Sequence, residues 1–146
     1  MKKILIFLVL LFMYKSTAAT DLILYKGVIS NDSISYEFLL SIFTKKQKFW
    51  KTGEKITVFI KPVNSVEHSI FAHEWLGVSV YRYKKILKKQ IYSGQTSSVR
   101  EVLSDTEMVR SILTTPYSIG YLSDGTLLYS LNSDSDITEI RVIYYE

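Results

Sequence analysis

Two segments decide the fold of this chain: IFTKKQKFW at residues 42–50 and TPYSIGYL at residues 115–122. The first begins in the apolar face of a predicted helix and continues through a lysine-rich loop to a tryptophan. In the second, Pro116 disfavours helical geometry at Thr115, so a helix is predicted to end before that residue. A strand over Ser118 to Leu122 is predicted to follow. Each segment therefore marks the end of a helix and the start of non-helical structure.

The chain begins with the three parts of a cleavable signal peptide. Lys2 and Lys3 give a positive start, residues 4–14 form an apolar run of eleven, and Ala19 ends a stretch of small residues suited to cleavage. A membrane span needs about 20 apolar residues, so this run is too short for one. We predict a signal peptide over residues 1–19 and a single domain over residues 20–146, secreted to the periplasm with no stable membrane anchor after cleavage.

Composition excludes several classes of protein once the leader is removed. The remaining chain carries 15 basic and 14 acidic residues, a net charge of +1, so a nucleic-acid partner is not indicated. The chain has no cysteine, which excludes disulfides and a lipidated cysteine after the leader. Without a lipid anchor, the periplasm of a Gram-negative bacterium is the favoured location.

Helices and strands alternate along the chain, which predicts an α/β layer fold with a partly parallel sheet. Serine caps and following apolar stripes define most of the helices. The predicted helices are 36–43 after Ser35, one from Asn64 or Ser65 to Leu76, 81–92, and one after Ser104, whose capping box includes Glu107. The predicted strands and extended segments are 22–29, 56–60, 118–122, 127–131 and 139–145.

In this order, the segments resemble those of the phosphate-type periplasmic substrate-binding proteins, which are solute receptors of ABC importers. Residues 42–50 are similar to the family's IF-x-G-K-x-x-x-W, and residues 115–121 to its TPGAIGY. Between them lie a Thr52-Gly53 turn, an aromatic helix ending in Leu76-Gly77, and a Tyr92-Ser93-Gly94 segment like the family's FTG. The resemblance implies one lobe of a type 2 periplasmic-binding-protein-like fold, with a mixed sheet flanked by about four helices.

The residues that bind the oxyanion in that family are largely replaced in this chain. The family's Arg-x-Asp-x-Ser-Gly-Thr loop falls on Pro62, Asn64, Val66, Glu67 and His68. Val66 offers no hydrogen bond, and Glu67 repels an anion. Lys45 also replaces the glycine of the family's first segment, and Tyr117 replaces a glycine of its second.

A remaining oxyanion site is expected at the amino end of the helix after Pro62, where unpaired amides and the positive end of the helix dipole lie. Asn64 and Ser65 are the predicted donors, with His68 one turn inside the helix and Lys61 supplying charge. The chain has material for only one of the two lobes that trap a ligand in full-length receptors. We therefore expect at most weak binding of phosphate or another small oxyanion.

No pattern in the chain indicates catalysis, a cofactor or a metal. His68 and His73 are five residues apart, so on a helix they face in different directions and do not form a metal pair. There is no glycine-rich phosphate loop, nucleophile elbow or acidic metal cluster, so an enzyme is not expected.

Two functions stay open at this stage. The first is a solute-binding-type protein related to phosphate ABC-transporter receptors. The second is a non-enzymatic protein-interaction module on the same scaffold, for an envelope partner such as a sensor or transporter. The replaced oxyanion loop favours the second function, whereas the resemblance favours the first. By the resemblance, Trp50 is expected in the core, and the lysines around it are expected either in a solvated loop or in contact with an acidic protein or anionic head groups. The basic face of the third helix is expected to be solvated.

Overall fold

The computed structural model describes residues 22–26, 35–93, 98–123 and 141–144. Its strands are β1 (Leu22–Lys26), β2 (Thr57–Ile60), β3 (Val99–Glu101), β4 (Ser118–Leu122) and β5 (Arg141–Tyr144). Its helices are α1 (Tyr36–Phe43), α2 (Val66–Glu74), α3 (Val80–Tyr92) and α4 (Asp105–Thr114). The predicted leader, the end of the predicted first strand, Gly94 and the predicted segment 127–131 lie outside these ranges.

The strands form one mixed sheet in the order β3-β2-β4-β1-β5. Strand β2 is parallel to both β3 and β4, whereas β1 is antiparallel to both β4 and β5. The predicted mixed, partly parallel sheet is therefore confirmed. Among the described residues, four helices accompany it, as predicted.

Helices cover both faces of the sheet. On one face, Val58, Ile60 and Tyr121 pack into a core with α1, α2 and α3. On the other face, Phe59 and Leu122 pack with Met108, Val109 and Ile112 of α4. Gly120 of β4 permits this second contact, because a Cβ at that position would overlap the sulfur of Met108. Alternate residues of β2 thus face opposite layers, as the pleat of a strand requires.

The parallel strands direct two helix starts to one edge of the sheet. Because β2, β3 and β4 are parallel, their carboxyl ends lie at the same edge. Helix α2 follows β2 on one face, and α4 follows β3 on the other. In open α/β sheets, this edge is where ligands bind.

The predicted helix starts are confirmed by their caps. The hydroxyl oxygens of Ser35, Ser65 and Ser104 each accept a hydrogen bond from the backbone amide three residues later, at 3.1 to 3.2 Å. Ser65, not Asn64, is therefore the cap of α2. These short-range bonds satisfy amides that a helix leaves unpaired.

The start of α4 differs from its prediction in two respects. The carboxylate of Glu107 accepts from the amide of Leu103, at 2.7 Å, and not from the amide of Ser104. A leucine directly before a serine cap, with Met108 at the fourth helical position, predicts a hydrophobic staple, but Leu103 is 79% exposed and does not form a buried one.

The two opening segments contact each other. The indole Nε1 of Trp50 donates to the carbonyl oxygen of Tyr117, at 3.1 Å, and Trp50 is buried. Trp50 thus belongs to the core, as the resemblance implied. Lys45 and Tyr117 are the only non-glycine residues described with positive φ, at 60° and 56°. Both stand where the family that the sequence resembles has glycine, the residue that adopts this left-handed backbone at no steric cost.

Strand β3 was not predicted from the sequence. It is only three residues long, carries Arg100 and Glu101, and lies at the edge of the sheet. A strand this short has no periodicity from which it is recognisable.

The backbone at Lys45 supports a stability prediction. Lys45 is buried, and burial, together with the positive charges of Lys55 and Lys48, lowers its pKa to about 8. Lys45→Gly and Lys45→Ala remove the same amine. Only alanine keeps a Cβ, which in the left-handed conformation lies too close to the following carbonyl oxygen and destabilises the fold by about 1–2 kcal/mol. Since glycine costs about 0.5–1 kcal/mol in backbone entropy, we expect the glycine variant to be more stable by about 0.5–1 kcal/mol.

Urea unfolding of the two variants measures this difference. The matched control is the same pair of substitutions at Lys88, an exposed position inside α3. There, glycine is expected to be less stable than alanine by about 1 kcal/mol. An alanine variant as stable as glycine at position 45 would show that the left-handed backbone is wrongly assigned.

Candidate functional site at the carboxyl edge of the sheet

The amino end of α2 presents backbone amides and a positive dipole at the carboxyl edge of the sheet. Ser65 caps the helix through the amide of His68, and the amides of Val66 and Glu67 have no acceptor within the helix. The side-chain oxygen of Asn64 accepts from the ammonium of Lys84 on α3. Asn64 therefore retains its amide NH₂ as a donor beside a cation.

Lys61, directly after β2, is buried with only 4% of its surface exposed. Its ammonium nitrogen lies 2.6 Å from Oδ1 of Asp105, in the first turn of α4. The hydroxyl of Ser123, directly after β4, lies 3.0 and 3.3 Å from the two oxygens of the same carboxylate. The charge expected to attract a solute is thus neutralised by a carboxylate of the chain itself.

The backbone of Lys61 is tied to α2 through one hydroxyl. The amide of Lys61 donates to the Tyr121 hydroxyl at 2.9 Å, and that hydroxyl lies 2.6 Å from Nδ1 of His68. If the hydroxyl accepts from Lys61 and donates to His68, Nδ1 carries no proton and Nε2 carries the hydrogen. Nε2 is buried and has no hydrogen-bond partner among the described residues.

His68 lies inside an aromatic cluster. Its ring centroid is 4.7 Å from that of Tyr83 and 6.0 Å from that of Tyr121, which stacks on Phe71 at 3.7 Å. Burial, and secondly the charge of Lys84, lowers the pKa of His68 to about 4. His68 is therefore neutral near pH 7 and supplies no charge to an anion.

The structure brings the four predicted residues near one another in two pairs. Lys61 and His68 meet at the Tyr121 hydroxyl, and Asn64 and Ser65 flank the start of α2. His68 is fully buried, whereas His73 is exposed and contacts Glu74 at 2.9 Å. The two histidines thus face different directions, as predicted. Within the described ranges, no group of three metal-ligating side chains was found.

Four residues at this edge were missed by sequence reasoning: Lys84, Asp105, Tyr121 and Ser123. Lys84 was assigned to the solvated face of α3, yet it contacts Asn64. Asp105 carried only a local signal, as an acidic residue in the first turn of a helix. Tyr121 lies in the segment 115–122, which predicted a strand. That prediction said nothing about the contacts of its hydroxyl.

A shallow groove of about 330 Å³ lies along the later part of α2 and the start of α3. It is lined by Ser69, Ile70, His73, Glu74, Ser79 and Val80. None of the four predicted ligand residues lines it.

No helix of the described part of the chain has the length and apolar character of a membrane span.

Comparison with known proteins supports the fold. No protein-family model matches the chain, and no curated protein sequence matches it. Among solved structures, it is similar to PstS from Borrelia burgdorferi, a phosphate-binding protein, with a TM-score of 0.54 and 21% identity. The match covers 85% of this chain and 46% of the PstS chain, so this chain spans about half the length of that protein.

This similarity establishes the fold and nothing finer. The predicted fold class, a single α/β lobe of the type 2 periplasmic-binding-protein kind, is confirmed. The likeness to the phosphate-type receptors is shown at the level of the fold only.

The buried histidine leads to a pH prediction. His68 titrates near pH 6.5 when unfolded and near pH 4 when folded, so the unfolded chain binds more protons between these values. The stability that its neutral form contributes is fully present above about pH 6.5 and is lost as the pH falls towards 4. Over this range the free energy of unfolding decreases by up to about 1.4 kcal/mol per pH unit. His68→Asn keeps an acceptor for Tyr121 but does not titrate, so its unfolding free energy should fall less steeply over this range.

Urea unfolding between pH 7.5 and about 4 measures both slopes. His73→Asn is the matched control, because it removes an exposed histidine of the same helix and should leave the wild-type slope unchanged. Equal slopes for wild type and His68→Asn would contradict the burial of a neutral imidazole.

Proposed function

We propose that this protein is a periplasmic, solute-binding-type lobe related to phosphate ABC-transporter receptors, and that it binds a small oxyanion only weakly. The proposal rests on the fold and on the amino end of α2. There, two amides without intrahelical acceptors lie beside Asn64 and Ser65, and the ammonium of Lys84 is bonded to Asn64. In many proteins, the amino end of a helix binds phosphate or carboxylate groups through such amides and the positive end of the helix dipole. The role is one of binding, without catalysis.

Weak affinity follows from what the neighbouring side chains do. Lys61 is paired with Asp105, and His68 is neutral and buried. Glu67 adds a negative charge to the first turn of α2. A single lobe also leaves the ligand open to water, whereas a tight site buries most of the surface of its ligand.

A second candidate function is a non-enzymatic interaction module for an envelope protein. One observation favours it. Val66 and Leu103, beside the starts of α2 and α4, are 71% and 79% exposed, and both lie at the carboxyl edge of the sheet. Large apolar side chains on either side of an edge whose lysine is already paired suit contact with a protein surface better than contact with a phosphate ion.

The proposed location depends on the leader. A signal peptide over residues 1–19, cleaved before a domain over residues 20–146, would deliver the protein to the periplasm. These residues of the leader lie outside the described ranges, so the sequence pattern alone supports this part of the proposal.

Phosphate titration followed by amide NMR shifts decides between the two functions. For the solute-binding function, we expect saturable shifts at Val66 and Glu67 with a dissociation constant no tighter than about 1 mM, or about 4 kcal/mol. Chloride at equal ionic strength should not produce them. Asn64→Ala combined with Ser65→Ala should abolish them by removing the side-chain donor and the cap.

Ser104→Ala is the matched control, because it removes an equivalent serine cap from α4 and should leave the phosphate shifts intact. Micromolar binding by the monomer would refute weak binding and indicate a functional receptor. No saturable shift at tens of millimolar would end the oxyanion hypothesis and favour the interaction module.

A further inference from the structure

The carboxylate of Asp105 is bound in the way that a separate anion would be. It receives the Lys61 ammonium at 2.6 Å and the Ser123 hydroxyl at 3.0 and 3.3 Å, and the Ser123 amide lies 3.5 Å away. Lys61 and Ser123 directly follow neighbouring parallel strands, β2 and β4. The donors therefore come from the edge at which α/β sheets bind ligands, and the acceptor comes from α4, the helix on the face of the sheet opposite to α2.

We propose that Lys61 and Ser123 form an oxyanion site whose ligand, in this chain, is the chain's own Asp105 carboxylate. The site is separate from the first-turn amides of α2, and its assignment goes beyond the proposed function. It explains why the buried lysine at this edge does not strengthen binding of a solute. A free anion must displace a carboxylate that α4 keeps at the site permanently.

Burial of the lysine makes an anion at this position necessary. Lys61 as a whole has 4% of its surface exposed. The exposed fraction of its side chain is 5%, and that of the Asp105 side chain is 16%. An ammonium withdrawn from water to this extent is strongly disfavoured without a nearby negative charge. An empty site would thus be unstable, and any anion of suitable size would stabilise the folded chain.

The size of the vacancy defines the class of ligand. Replacing Asp105 by alanine removes one carboxylate group and leaves the lysine and serine donors in place. The group that fits this vacancy is a small monocarboxylate, and formate has the same atoms as the group removed. The recognition consists of a charge-assisted hydrogen bond from Lys61 and a hydroxyl donor from Ser123.

Formate rescue of the Asp105→Ala variant tests the proposal. The full chain is unfolded in urea, with tryptophan fluorescence as the signal, in sodium formate or in sodium chloride of equal concentration. We expect formate to stabilise Asp105→Ala in a saturable way, with the unfolding equilibrium constant lowered about tenfold when formate is ten times its dissociation constant. Wild type, whose site is filled, should show no difference between the two salts.

Two variants separate this site from general effects of the salt. Lys61→Met combined with Asp105→Ala lacks the cation and should not respond to formate. Asp105→Asn fills the vacancy with an uncharged amide and should not respond either. If Asp105→Ala is unfolded in chloride, we expect formate to restore its folding.

Three outcomes would overturn the proposal. They are an Asp105→Ala variant that responds equally to both salts, a Lys61→Met/Asp105→Ala variant that responds as strongly as Asp105→Ala, and an Asp105→Ala variant that stays unfolded in formate. The phosphate-induced shifts test the amino end of α2, whereas formate rescue tests the site of Lys61 and Ser123. Either proposal can therefore be refuted while the other stands.

Discussion

A buried ammonium group at the end of a central strand constrains the whole carboxyl edge of this protein. Lys61 follows β2 immediately and is covered from solvent, so it requires a negative partner within the fold. Asp105 is that partner, and its position in the first turn of α4 ties this helix to the end of β2. The helix lies on one face of the sheet while α1, α2 and α3 lie on the other. One ion pair therefore connects α4 to the central strand at the carboxyl edge of the sheet.

The same residue connects this edge to the interior of the first layer. The amide of Lys61 donates to Tyr121, whose hydroxyl contacts His68 and whose ring stacks on Phe71. The polar groups of Lys61 and His68 are consequently used within the fold. Among the described residues, this edge still presents the amino end of α2 and two exposed apolar side chains, Val66 and Leu103. The fold is similar to that of PstS, but the use of these polar groups within the fold is why we propose only weak solute binding.

Local signals in the sequence predicted much of the fold. Serine caps predicted three helix starts, because a cap and its amide are only three residues apart. The resemblance aligns Lys45 and Tyr117 with glycines, and both adopt the left-handed backbone that glycine permits. Strand β3 escaped prediction because a three-residue edge strand has no pattern of its own.

The chemistry of the edge was less predictable, because it depends on contacts between distant parts of the chain. In α2, the apolar side chains of Val66 and Ile70 are 71% and 44% exposed, whereas His68 is fully buried. This reverses the usual relation between polarity and burial, so a ligand role for His68 was the natural prediction. Its burial depends on Tyr121, and the pairing of Lys61 depends on Asp105, and neither contact has a signature in local sequence.

A double-mutant cycle on Lys61 and Asp105 tests the central claim most directly. Unfolding free energies are measured for Lys61→Met, Asp105→Asn and the double variant. We predict that each single variant costs about 3–5 kcal/mol, because it leaves a buried charge unpaired, and that the double variant costs less than their sum by at least about 1 kcal/mol. Single-variant effects that add within about 0.5 kcal/mol would contradict the account, because they would show that the two charges do not depend on each other.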